Sequence, residues 1–218
     1  MTMKYYYMSD AKSLKLDIPV PNYTQMLAEA TALKDRYTGH YTDDPDNIGW
    51  KSLSLYGLGE TKHESWDDYG YENAEEAAKD FIWTPAAYEC PTIMNWLLTQ
   101  FPSKRFGRVR LMLLEAGGQI GEHSDTSYKI LENINIPLSN PKECIWFWGD
   151  GDFLNMEPGG VYAMNISYPH KIINNSNEDR YHIIVARHDS IDEWRKVMDA
   201  AINRDNVVGS YVLGPVAT

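Results

Sequence analysis

The segment "GRVRLMLLEAGGQIGEHSDTSY" (residues 107–128) decides how this chain is read. A hydrophobic run reaches paired glycines at 117–118, and His123 and Asp125 follow two residues apart. In extended backbone, residues i and i+2 face the same side. The pattern therefore predicts two strands, 107–115 and 119–125, joined by a glycine turn, with an imidazole and a carboxylate side by side on the second.

Downstream the β character continues. Short segments rich in β-branched and aromatic residues fall at 133–138, 143–148, 160–165, 170–174 and 180–187, separated by the turn clusters "SNPKE", "GDGD", "EPGG" and "NNSNED". Seven short strands with no intervening helix predict a sandwich or jelly roll rather than a βαβ fold. The upstream half reads as mixed. Tyr23, Met26, Leu27, Ala30, Leu33 and Tyr37 recur at helical spacing after Pro21-Asn22, "DNIGWKSLSLYGLG" (46–59) reads as a strand, and 60–72 reads as a loop. Asn73 opens a short helix. Pro91 opens another that carries Ile93, Met94, Leu97, Leu98 and Phe101 on one side. Near the C-terminus Ser190 and Glu193 form a capping box ahead of an apolar stripe of Ile191, Trp194, Val197, Met198 and Ala201. The expected organisation is one domain over 1–218. It has a mixed support region (1–106), a β core (107–188), and a C-terminal helix and tail (189–218), with helices buttressing one sheet face.

Composition narrows the partners. Twenty basic against 31 acidic residues leave a net charge of −11, which argues against nucleic acid or an anionic membrane, since both need a basic face. It would suit a neutral or basic substrate. Cys90 and Cys144 are too few for a disulfide framework and read as buried thiols. The start "MTMKYYYMSDAKSLK" lacks the apolar run of a signal peptide, and no stretch approaches the length of a membrane span. A soluble, cytoplasmic protein is expected.

A lone His-x-Asp pair carries little weight in so acidic a chain. His170, at the start of a later strand, completes two histidines and one carboxylate. That set occupies one face of Fe(II) and leaves adjacent positions open, although zinc accepts the same ligands. Arg180 adds a guanidinium. If 170–174 and 180–187 pair as a hairpin, Arg180 lies about three residues, or ~10 Å, from His170 along the sheet. A five-carbon diacid held by the metal at one end would reach that far and meet a two-pronged grip. The competing reading makes Arg180 a surface residue paired with Glu178 or Asp179. Trp146 and Trp148 are candidate substrate-pocket residues or core. Arg110 either points into the barrel mouth to hold a substrate carboxylate or snorkels outward. His182 shares the parity of Arg180 and reads mainly as a packing histidine, while His40, His63 and His188 carry no assigned role.

"RVRLMLLEAGGQIGEHSD", "NINIPL" and "MEPGGVYAMNISYPHKIINNSNEDRYHIIV" together resemble the aspartyl/asparaginyl β-hydroxylase family over residues 107–188. The resemblance implies an Fe(II)- and 2-oxoglutarate-dependent oxygenase on a double-stranded β-helix, a cupin-like jelly roll. Carried over residue by residue, His123, Asp125 and His170 would be the iron ligands and Arg180 the partner of the 2-oxoglutarate C5 carboxylate. Asn135 would stand at a position, often histidine, that touches the other end of the co-substrate. Some vertebrate members lack the carboxylate ligand, so Asp125 marks the bacterial and viral type. The implied reaction uses O2 and hydroxylates an amino-acid side chain, in a protein or peptide or in a free amino acid such as proline, releasing succinate and CO2. The alternative is a cupin-like jelly roll that binds a metal or small ligand without turnover, in which Arg180 would be dispensable.

Overall fold

The computed structural model describes residues 3–9, 11–62, 65–126, 131–186, 191–201 and 211–217. The first half contributes strands β1 (Met3–Ser9) and β2 (Ser13–Leu16), helix α1 (Tyr23–Ala32), strands β3 (Thr38–Gly39) and β4 (Ile48–Gly57), helix α2 (Ala74–Ala78), strand β5 (Ile82–Trp83) and helices α3 (Pro85–Tyr88) and α4 (Pro91–Thr99). The second half is β6 (Val109–His123), β7 (Leu131–Pro137), β8 (Cys144–Trp148), β9 (Phe153–Leu154), β10 (Val161–Asn165), β11 (His170–Asn174), β12 (Arg180–Ala186), α5 (Ile191–Ala201) and β13 (Tyr211–Ala217). Among the described residues no helix is long and apolar enough to cross a membrane.

The predicted glycine turn is not a turn. Residues 109–123 form one strand, and the glycines sit in a bulge within it. On the β4 side, Ile48 faces Gln119 while Trp50 faces Leu114, so two steps on β4 span five on β6. Gly117 takes φ +71, and a Cβ on Gly118 would sit 2.7 Å from the Ile48 carbonyl oxygen and 2.9 Å from that of Glu115. The expected hairpin is absent as well. β11 and β12 do not pair with each other; both run antiparallel to β6, on the edge opposite β4. His170 faces His123, Arg180 faces Leu114, and residues 175–179 leave the ladder where β6 bulges. The two excursions are tied together. Gly117 N–H donates to the Ser176 carbonyl (3.1 Å), Ala116 N–H to Asp179 Oδ1 (3.0 Å), and buried Asn174 Nδ2 to the carbonyls of Glu115 (3.0 Å) and Glu178 (2.8 Å).

This shared bend carries both chains from one sheet to the other, which is how a jelly roll closes. The larger sheet runs β2-β10-β7-β12-β6, with β4 beside the first half of β6; the smaller runs from the second half of β6 through β11 and β8 to β9. The result is the expected double-stranded β-helix.

Alternation along the strands assigns the faces. Val109, Leu111, Leu113, Ile134, Ile136, Tyr181, Ile183 and Val185 join the core shared with the helices, whereas Leu114, Ile120, Trp146, Met164 and Ile172 pack between the sheets. Each such side chain contributes roughly 1.5–3 kcal/mol when fully buried. Helix α4 seats Ile93, Trp96 and Leu97 in the helix-side core, and Trp96 Nε1–H donates to the Pro19 carbonyl at 2.9 Å. Leu98, expected on the same side, is exposed. It follows Leu97 by about 100° of helical rotation and so leaves the stripe. Ser190 of the expected capping box lies outside the described residues, as do His63 and His188. Trp194, Val197 and Met198 are buried as expected.

The bulge gives a direct test of this closure. Gly118→Ala forces a methyl against two backbone oxygens and is expected to destabilise by roughly 1–3 kcal/mol, the usual cost of overpacking. Gly117→Ala meets nothing within 4 Å and should cost only about 1 kcal/mol for its left-handed backbone. Urea unfolding of the two variants should give that order; the reverse order would show that the close approach at Gly118 is not what fixes the bend.

Candidate active site

Three groups converge at the open end of the smaller sheet. His123 ends β6, His170 begins β11 opposite it, and Asp125 lies two residues past the end of β6, with its backbone N–H held by the Ile166 carbonyl at 2.9 Å. Asp125 Oδ1 is 3.7 Å from His123 Nε2 and Oδ2 is 3.7 Å from His170 Nε2. One ligand atom from each of the three lies within 4.8 Å of the others.

The tautomers are set by the backbone. Each Nδ1 faces a carbonyl oxygen, Gly121 for His123 (2.8 Å) and Tyr168 for His170 (2.9 Å). Carbonyls only accept, so both Nδ1 atoms carry a proton, and Nε2 is the ring nitrogen that each histidine turns toward Asp125. That orientation by an outer partner is what metal-binding histidines need. Burial holds the His170 pKa below its ordinary 6.5, favouring the neutral ring. Its ring also stacks on Trp146, with centroids 4.6 Å apart and planes 12° apart.

A cavity of about 540 Å³ opens from the triad into the barrel, lined by Arg180, His182, Asn135, Arg110 and Trp146 among others. Arg180 is buried, which rules out the surface alternative. Asp179 is turned away, paired with Lys34 and Ala116 N–H. Arg180 Nε donates to Asn140 Oδ1 (2.9 Å), and its terminal nitrogens donate to His182 Nδ1 (3.1 Å) and Met156 Sδ (3.6 Å). Among the described residues, no carboxylate pairs with it. Asn135 is buried too, and its Oδ1 has no partner; the amide can be turned to present Nδ2 instead.

Sequence reading placed these groups with uneven success. Arg110 faces the cavity rather than snorkelling, and burial with repulsion from Arg108 pushes its pKa down to about 9. Trp146 lines the cavity with its indole nitrogen unpartnered, whereas Trp148 is buried behind it, 5.5 Å away between centroids, and does not line it. His182 is more than packing, since it accepts from Arg180 and faces the cavity. The first half also supplies walls that no motif announced. Trp50 lies 6.1 Å from His123, and buried His40 packs 4.4 Å from Trp50 and 4.5 Å from Tyr41. Tyr41 holds a left-handed φ of 48. Arg108, two residues before Arg110 on the same face, was legible by parity alone.

His182 carries a pH signature. Burial first, then the charges of Arg180 and Arg110, hold its pKa well below 6.5. The folded group is therefore neutral where the unfolded one takes a proton, so its contribution is present above pH 6.5 and is lost as pH falls below it. The loss is about 1.4 kcal/mol per pH unit until the folded pKa is reached. His182→Gln keeps an acceptor for Arg180 and should flatten the decline in urea stability between pH 6 and pH 5 by about that amount; an unchanged slope would mean that His182 already titrates in the folded protein.

A double-stranded β-helix with a His-x-Asp and distant His set at its mouth, and a buried guanidinium deeper in the same cavity, defines a 2-oxoglutarate-dependent dioxygenase. The chain belongs to the aspartyl/asparaginyl β-hydroxylase family, whose sequence pattern matches residues 21–188. Comparison with curated protein sequences finds no match. Similar solved structures include a Pseudomonas putida prolyl-4-hydroxylase, 15% identical, with 82% of this chain and 94% of that one covered at a TM-score of 0.47. A Trichoplax adhaerens prolyl hydroxylase in complex with a hypoxia inducible factor peptide fragment is 12% identical, with 86% of each chain covered at 0.46. A non-heme α-ketoglutarate-dependent carbocyclase from nogalamycin biosynthesis is 10% identical, with 80% and 78% covered at 0.49.

Proposed function

We propose that this chain works as one oxygenase domain that hydroxylates an amino-acid side chain, in a peptide or in a free amino acid such as proline. His123, Asp125 and His170 would hold Fe(II), and Arg180 and Asn135 would hold 2-oxoglutarate. The donor set suits the metal: two imidazoles presenting Nε2 and one carboxylate, which would leave coordination positions open on the cavity side. The observation that carries the proposal is Arg180, a buried guanidinium in the cavity of the triad with no acidic partner among the described residues. An isolated buried charge is costly, and a bound dicarboxylate relieves that cost.

When bound, Fe(II) with 2-oxoglutarate would supply the O2-dependent oxidation that ends in hydroxylation, with succinate and CO2 as co-products. The protein's part is placement. Arg180 grips the far carboxylate, with His182 and Asn140 fixing the guanidinium plane through Nδ1 and Oδ1. Trp146 holds the His170 ring by stacking.

The test is an anaerobic titration with Fe(II) and 2-oxoglutarate, watching for the visible charge-transfer band of the chelate. A saturable band is expected, followed by succinate release when O2 is admitted. Folded, iron-loaded protein without a band would overturn the oxygenase in favour of a jelly roll that binds metal without turnover.

A further inference from the structure

The co-substrate site uses only one end of the cavity. Pairing registers set out the inward face of the larger sheet row by row. Arg180 lies beside Leu114, His182 beside Met112, and Ile184 between Arg110 and Asn135. In the last row Ala186, whose N–H is held by the Arg108 carbonyl at 2.8 Å, lies opposite Asn133. Arg110 is thus four residues along β6 from the level of Arg180, or ~13 Å, and Arg108 is ~7 Å further out. Three of the eight arginines line this one cavity, in a chain of net charge −11. That concentration runs against the composition, and it places guanidiniums at both ends.

Asp125 acts electrostatically on Arg110, and both line the same cavity. The phenol groups of Tyr41 and Tyr69 act on Arg108. The same cavity is also lined by the apolar side chains of Trp66, Ala77, Ala78, Phe81 and Phe106, with Lys62 among them. The residues that would hold the metal and 2-oxoglutarate do not include Arg108 or Arg110.

We infer that Arg108 and Arg110 form the anion subsite of the prime substrate, a carboxylate carried on an apolar body that packs against Trp66, Phe81 and Phe106. This deepens the oxygenase reading and rests on it for the identity of the reaction. Two guanidiniums on one strand face suit the two oxygens of a carboxylate. Burial holds both pKa values down and Arg108 further lowers that of Arg110, so a bound anion would favour the charged form of each. Composition alone pointed to a neutral or basic substrate; the cavity lining points the other way.

The experiment titrates the protein with a graded panel of apolar carboxylates, from 3-phenylpropanoate to longer chains, each beside its neutral amide. Tryptophan fluorescence reads binding in the apoprotein, and displacement of the Fe(II)–2-oxoglutarate band reads it in the complex. At least one carboxylate should bind roughly tenfold or more tighter than its amide. Arg108→Gln and Arg110→Met should each remove most of that preference while moving the 2-oxoglutarate midpoint less than about threefold, the wild-type acid–amide comparison standing whether or not either variant folds. Equal binding of acid and amide, or no binding by any member, overturns the subsite. Loss of 2-oxoglutarate binding in Arg110→Met also overturns it, by assigning that arginine to the co-substrate. Absence of the band in wild type alongside intact carboxylate preference would instead sink the oxygenase reading and keep the subsite.

Discussion

Arg180→Met is expected to weaken 2-oxoglutarate binding by more than roughly a hundredfold while leaving the stability of the ligand-free protein within about 1 kcal/mol of wild type. The two halves have one cause. In the complex, the guanidinium would make a buried, charge-assisted pair with the C5 carboxylate, and removing one member of such a pair costs roughly 3–5 kcal/mol. In the free protein the same guanidinium is buried with only neutral partners, Asn140, His182 and Met156. Replacing a poorly compensated buried charge by an apolar chain of similar volume is commonly neutral or stabilising by about 1–4 kcal/mol. Against that gain stands the lost donor to His182 Nδ1, worth about 1–3 kcal/mol. The terms nearly cancel. A structural arginine would behave differently, with stability falling by several kcal/mol and 2-oxoglutarate binding changing only through unfolding. Thermal melts with and without Fe(II) and 2-oxoglutarate separate the cases, because ligand raises the midpoint only of protein that binds it. Arg180→Lys should resemble Met in affinity, since an ammonium cannot reproduce the planar fork.

The residues that the sequence made legible are those whose meaning is local. His123 and Asp125 share a side because they are two apart in extended chain, and the alternation of Val109, Leu111 and Leu113 against Arg110 and Met112 marks the two faces of β6. What was misread depends on which strand lies beside which. A five-residue gap between two β segments looks like a hairpin, but here the gap follows the bulge of β6 and the chain continues along the same neighbour. The ~10 Å estimate for Arg180 rested on that hairpin; its presence in the triad's cavity does not. The contribution of the first half was illegible for a different reason. Tyr41, Trp50 and Trp66 reach the cavity from loops and an added strand some 60 to 80 residues before the triad. Aromatic residues in a loop carry no period that says where they will pack. Only the left-handed Tyr41 marks the spot, and backbone strain shows in coordinates rather than in residue order.

Asp125→Ala is expected to abolish the charge-transfer band and succinate release while leaving urea stability within about 0.5 kcal/mol of wild type. The carboxylate is the most exposed of the three groups, at 44% against 33% for His123 and 2% for His170. Among the described residues its side chain makes no fold-building hydrogen bond, and the contact that anchors this residue runs from its backbone N–H to Ile166 and survives the substitution. Its removal leaves two imidazoles alone, and metal affinity should fall by more than the ten- to hundredfold that losing an outer partner of a metal site costs. His170→Ala is the informative contrast. It too should lose the band, but it also removes a buried ring stacked on Trp146 and opens a void between β8 and β11, so stability should fall by about 2–4 kcal/mol. If Asp125→Ala binds Fe(II) and 2-oxoglutarate as tightly as wild type, the carboxylate is not a ligand and the assigned triad is wrong. If both variants lose the band but only His170→Ala loses stability, the separation of chemistry from fold follows from where each side chain sits: one at the mouth of the barrel, the other in its wall.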